Sequence, residues 1–222
     1  MVFEAKSISK SYGKKTPLTD ISFTVKSNEC VGILGRNGTG KSTLLSVLAG
    51  VRKCGSGKFT ADGKDLFGDK KLLSASVGYV PQGTPLMEEL SAKDNLLLWY
   101  DKKTLEREMA SGVLSLLGIN EFAHTVVSKL SGGMKKRLSI GCALAGAPSL
   151  LLLDEPCAAL DIVCREEVLE YLRLYKERGG AVVIATHDER DLLLCDKTYV
   201  LKNGVLNPVE YTGDIAMLAK EL

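Results

Sequence analysis

The first third of the chain reads as short strands. Residues 2–8 form one candidate, and Ile21, Phe23 and Val25 alternate with Ser22 and Thr24 in another. Residues 30–34, CVGIL, differ in kind: a nearly continuous apolar run beside glycine suits a strand covered on both faces. The pattern then predicts a helix over 41–49, closed by Gly50, and a turn-rich edge hairpin over 55–65. A strand at 77–80 follows, with a break at Pro81. From there the texture is helical, with 94–100 and then Leu105, Met109, Val113, Leu116 and Leu117 at helical spacings. Buried-strand runs return at 150–153 and 181–185, on either side of a helix over 165–176. Apolar strands alternating with helices predict an α/β core around a mostly parallel sheet flanked by helices. An N-terminal β part precedes it, and a helical insert near 85–130 interrupts it.

Two stretches add chemistry to this outline. GRNGTGKST, residues 35–43, fits the G-x-x-x-x-G-K-[ST] pattern between a predicted strand and a predicted helix. Its glycines let backbone N–H groups converge on an anion at a helix N-terminus. Gly35, Arg36, Asn37, Gly38, Thr39, Gly40, Lys41, Ser42 and Thr43 are therefore candidate ligands of a nucleoside triphosphate. Lys41 would reach the β- and γ-phosphates, and the Ser42 hydroxyl would coordinate Mg2+. LLLLDEP, from Leu150 to Pro156, ends an apolar strand in Asp154, where doubly wound sheets gather their ligands. Asp154 is the second candidate for Mg2+, and Glu155 is placed to polarise an attacking water.

Six motifs then fall in the order and approximate spacing of ATP-binding-cassette ATPases: the 35–43 loop, Gln82 after GYVP, LSGGM from Leu130, LLLLDEP, AALD from Ala158 and ATHD from Ala185. The chain resembles the nucleotide-binding subunit of an ABC transporter from Tyr12 to His187, and LSGG is the discriminating element. The resemblance implies a P-loop core with an N-terminal antiparallel β subdomain and a helical insert, in a single domain over 1–222. Its core would lie at about 1–84 and 131–222, with the helical subdomain at about 85–130. The cofactors implied are ATP and Mg2+. Tyr12 matches the aromatic that stacks on adenine, Gln82 the glutamine that contacts Mg2+ or the attacking water, and His187 the histidine that contacts the γ-phosphate. Ser131, Gly132, Gly133 and Met134, with Asp161, would serve ATP held by a second subunit. Glu155, His187 and Lys41 would carry catalysis. Met134 stands where glutamine is commonest, and Cys157 where threonine or serine usually follows the proline; neither removes a phosphate ligand.

The partners implied are a second ATP-binding subunit, in a homodimer or heterodimer, and polytopic transmembrane subunits, with an export-type system favoured. Charge and cysteine content fit this picture. Lys and Arg number 29 against 27 Asp and Glu. The lysine pairs, Lys135 and Lys136 among them, are scattered and read as solvated faces, with no nucleic-acid stripe. Lys135, Lys136 and Arg137 are expected to add only a favourable field. The six cysteines show no zinc spacing and read as reduced thiols of a cytosolic protein. The N-terminal residues lack a signal-peptide pattern, and no run approaches the roughly 18 apolar residues of a membrane span. The expected location is cytoplasmic, at the inner face of the membrane through a partner. Two rivals are a soluble ABC ATPase acting on ribosomes or DNA, and a regulatory nucleotide-binding module without turnover. The first usually carries two cassettes or a long coiled coil, and the second does not need Glu155.

Overall fold

The computed structural model describes residues 1–158 and 160–211. Ala159 of the AALD motif and the last part of the expected core, 212–222, lie outside the described residues.

Two sheets form the frame. The N-terminal sheet is antiparallel, built from β1 (Val2–Tyr12), β2 (Lys15–Lys26), β4 (Ser56–Ala61) and β5 (Lys64–Asp65) in the order β2-β1-β4-β5. The second has six strands: β3 (Cys30–Leu34), β6 (Val77–Val80), β7 (Leu150–Asp154), β8 (Ala181–Thr186), β9 (Lys197–Lys202) and β10 (Val205–Val209). Their order is β10-β9-β3-β8-β7-β6, parallel throughout except for the β10 edge.

Side chains of the central strands alternate between two cores, as the two-residue period of a strand demands. Val31, Ile33, Leu150, Leu152 and Val183 face the N-terminal sheet and α1 (Lys41–Leu48), whose Leu44, Leu45, Val47 and Leu48 are buried there. Cys30, Leu151, Leu153, Val182 and Ile184 face the other way. They meet α6 (Gly132–Ala143), α7 (Ile162–Glu177) and the helical insert. Apolar cover on both faces is why these strands read as unbroken hydrophobic runs.

The insert comprises α3 (Ala92–Leu97), α4 (Lys102–Ser111) and α5 (Val113–Leu116), followed by two short 3-10 turns. The expected long helical stretch is thus three short helices. Ser91 caps the first, Asp101 the second, and the break at Gly112 separates the third. The structure adds to the expected elements α2 (Lys70–Ser76), capped by Asp69, and the β9-β10 hairpin. Helix α7 also starts at Ile162, earlier than expected, because Asp161 accepts a hydrogen bond from the Cys164 amide. No helix among the described residues is long and apolar enough to cross a membrane, and their cysteines are all unpaired thiols.

Candidate functional site

The loop after β3 turns through two glycines with positive φ, Gly38 at 83° and Gly40 at 111°. Only glycine adopts such a backbone without strain, and at Gly40 a Cβ would lie 2.7 Å from the Pro17 carbonyl oxygen. Helix α1 therefore begins on bare backbone, with no side-chain cap taking up its first N–H groups. Lys41 folds back across the loop, its Nζ donating to the carbonyls of Gly35 at 2.7 Å and Arg36 at 3.3 Å. Burial lowers the pKa of this lysine, against the pull of Glu155 and Asp154.

Glu155 follows the last residue of β7, and its carboxylate is a meeting point. Gln82 Nε2 donates to Oε2 at 3.0 Å. His187 Nδ1 lies 3.0 Å from Oε1, and Lys41 Nζ lies 3.8 Å from the same oxygen. Residues from the ends of β6, β7, β8 and the start of α1 are thus gathered at the carboxyl edge of the parallel sheet, where open α/β sheets form their ligand crevices. Glu155 is held in the left-handed region, with φ of 49°. Its amide donates to the Ala185 carbonyl at 2.8 Å, which fixes that turn.

Asp154 is 2% exposed, with the Ser42 hydroxyl beside it. Burial raises its carboxyl pKa, and the Ser42 hydroxyl opposes the rise. Its Oδ1 is buried with no hydrogen-bond partner. An orphaned carboxylate oxygen beside a solvent-reaching hydroxyl is a donor pair that fits a hard divalent cation such as Mg2+.

The remaining expected residues fall into two places. Tyr12, at the end of β1, is exposed; Arg52 Nη1 donates to its hydroxyl at 2.9 Å and Lys10 Nζ stands 5.0 Å from its ring centroid. An aromatic face steadied in this way can stack on a base. Ser131 caps α6 by accepting from the Met134 amide at 3.2 Å. Gly133 abuts Cys164, so the Ser131 end of α6 and the Asp161 end of α7 form one surface. Among the described residues no hydrogen bond or ion pair joins Ser131 or Asp161 to the glycine loop of the same chain.

The basic triplet departs from expectation. Lys136 is 4% exposed and donates to the carbonyls of Pro81 and Gln82. Arg137 lies over the Phe122 ring and pairs with Glu167. Only Lys135 resembles the solvated residue expected, and it too makes an ion pair, with Glu88 at 2.9 Å. Sequence reasoning also missed Arg165, which bonds Asp188 at 2.7 Å and faces Asp191 at 3.7 Å. Asp191 in turn accepts from Thr186, so the residues on both sides of His187 are pinned.

A glycine loop on an uncapped helix N-terminus, its lysine, and an acidic pair at the carboxyl edge of a parallel sheet define the class: a P-loop nucleoside triphosphatase. Comparison with known proteins narrows it. The family described as ABC transporter matches residues 18–158, and the chain belongs to that family, with the ATPase activity of its cassettes. It is 35% identical to the linearmycin resistance ATP-binding protein of Bacillus subtilis (strain 168), over 96% of this chain and 70% of that one. It is 39% identical to the Nod factor export ATP-binding protein I of Rhizobium leguminosarum bv. viciae, over 89% of this chain and 65% of that one. The chain thus spans about two thirds of the length of these curated relatives. Among solved structures, a dimeric ATP-binding cassette in a post-hydrolysis state with ADP and Pi superposes with a TM-score of 0.80. That match has 29% identity and covers 93% of this chain and 96% of the other.

Proposed function

We propose that this chain is the ATP-hydrolysing subunit of a membrane exporter, working as a dimer of cassettes beneath polytopic transmembrane partners. The observation that carries the reading is the Glu155 carboxylate, held at once by Gln82, His187 and Lys41 beside the glycine loop. The names of the relatives support export, since one serves Nod factor export and another linearmycin resistance. On this reading the whole of 1–222 is one ABC ATPase domain, with a helical subdomain at about 85–130.

The chemistry assigned to the residues follows from their positions. Amides of the 35–40 loop and Lys41 receive the phosphates, while Tyr12 stacks on the adenine. Ser42 and Asp154, with Gln82, would hold Mg2+, which when bound would supply charge neutralisation at the transferring phosphoryl group. Glu155 orients the water and takes its proton. Its two oxygens offer about four lone-pair sites, so Gln82 and His187 leave room for that water. His187 fixes the carboxylate's rotamer and faces the γ-phosphate side.

Three surfaces favour the assembly. Ile162, Val163 and Leu193 are 77%, 68% and 71% exposed around Asp161 and the segment after His187, an apolar surface suited to a second cassette. Ser131 and the Gly132 and Gly133 amides, at the N-terminus of α6, would meet the ATP of that second copy. In the insert, Met87, Leu98 and Trp99 are exposed and would receive a transmembrane subunit's cytoplasmic segment.

The test mixes two inactive variants, Lys41→Ala and Ser131→Ala, and follows phosphate release. Because a mixed dimer contains one site with both native halves, activity should return on mixing. Co-extraction with a polytopic membrane protein is expected from cells; recovery with ribosomes or DNA instead would replace the transport reading.

A further inference from the structure

Lys136 is a buried cation that the reading above leaves without a task. It lies on the second turn of α6, and its only hydrogen-bond partners among the described residues are two main-chain carbonyls, Pro81 at 3.4 Å and Gln82 at 3.3 Å. Burying an ammonium group is costly unless opposite charge answers it. Burial does push its pKa down, and the fields of Asp154 and Glu155 are among those that resist the fall. The interior of the site thus holds two carboxylates, Asp154 and Glu155, against two lysines, Lys41 and Lys136, all between 2% and 6% exposed.

The connectivity is as informative as the charge. Gln82 presents its carbonyl to Lys136 and its side-chain amide to Glu155. One residue therefore separates α6 from the carboxylate assigned to the water. Lys135 secures the far side of the same loop through Glu88, and its amide donates to the Ser131 carbonyl at 2.9 Å. The Ser131 end of α6, the segment after β6 and Glu155 are linked by consecutive polar contacts.

We propose that Lys136 is a positioning residue for hydrolysis, pinning the Gln82 backbone to α6 so that the placement of the Ser131 end governs how Gln82 holds Glu155. The inference rests on the ATPase reading above. It makes Lys136 a route by which engagement of a second subunit's nucleotide reports to this subunit's own water-orienting group.

Lys136→Met removes charge and donors at nearly the same length, and Lys136→Arg keeps both. Purified full-length chain is assayed for kcat, KM for ATP and Mg-ATP affinity. Lys136→Met should lower kcat by about tenfold or more, the scale of a misplaced catalytic group, with KM and ATP affinity within about twofold of wild type. Lys136→Arg should recover most of the loss. Combined with Gln82→Ala, Lys136→Met should add little to the defect of Gln82→Ala alone, because both act on one contact. If Lys136→Met does not fold, Lys136→Leu, which also lacks charge and donors, carries the same expectation. An unchanged kcat in the folded variants, or a loss that multiplies fully with that of Gln82→Ala, would overturn the proposal. Absence of ATP turnover in the wild-type chain would instead sink the ATPase reading itself.

Discussion

Gln82 and Glu155, 73 positions apart in sequence, are joined by a 3.0 Å hydrogen bond from Nε2 to Oε2. The glutamine sits on an exposed segment after β6, while the glutamate is buried at the end of β7. A solvent-facing loop thus has direct purchase on an interior carboxylate. Replacing Glu155 with glutamine keeps the shape and removes the base. Glu155→Gln should bind Mg-ATP with near-normal affinity while steady-state turnover falls by about a hundredfold or more, within the range for loss of a general base. Near-normal phosphate release by this variant would remove Glu155 from its role.

Gly40→Ala should damage both binding and stability. The backbone there has φ of 111°, and the added Cβ would crowd the Pro17 carbonyl at 2.7 Å. Strain of this kind costs about 1–3 kcal/mol, which for a chain of this size lowers Tm by about 2–4 °C per kcal/mol. ATP affinity should drop at least about tenfold as the N–H groups lose their convergence. Gly38→Ala, with open space around its Cβ, should be the milder of the two despite its positive φ.

Arg165 holds Asp188 and faces Asp191, the latter almost fully buried. Arg165→Met would leave the buried Asp191 carboxylate without its cation while Arg190 still pairs with Asp188, a change that costs about 3 kcal/mol. Chemical denaturation should register the loss, and kcat should fall with it because Thr186 and Asp188 frame His187.

Acid should expose the same network. Burial alone would raise the Asp188 carboxyl pKa, but hydrogen bonds from Arg165 and Arg190 hold it well below the usual carboxylate range. A carboxylate with a depressed folded-state pKa contributes stability that is complete above its unfolded value, about 3.9, and lost as pH falls toward the folded value. Asp188→Asn should therefore flatten the fall in Tm between about pH 5 and pH 3. An unchanged acid slope would mean that other carboxylates govern it.

Legibility in the sequence followed burial symmetry. Strands β3, β7 and β8 are buried on both faces, so each appears as an apolar run and each was found. The glycine loop was equally plain, because its geometry tolerates few residue types at Gly38 and Gly40. Helix α2 was missed: only Leu73 and Ser76 are buried along it, too few for a periodic signal, although Asp69 was an available cap. The β9-β10 hairpin did carry a signal, the Asn203-Gly204 pair between alternating segments, both with positive φ. Lys136 was misread by residue type alone. Gly133, Lys136 and Ile140 are all buried along α6, a spacing that puts the lysine on the inward stripe of the helix. Arg165 left no local trace, because its partners lie on a different element and meet it only through the tertiary fold.

Asp154 and Glu155 are neighbours on the chain, and in a regular strand neighbours point to opposite faces. The left-handed conformation at residue 155 breaks that alternation: Asp154 remains the last rung of the ladder, paired with Ala185, while Glu155 swings toward Lys41. The backbone therefore sets the direction of each carboxylate, and side-chain length sets its reach from that position. Exchanging the two, Asp154→Glu with Glu155→Asp, would preserve composition and charge yet give a protein that no longer turns over ATP.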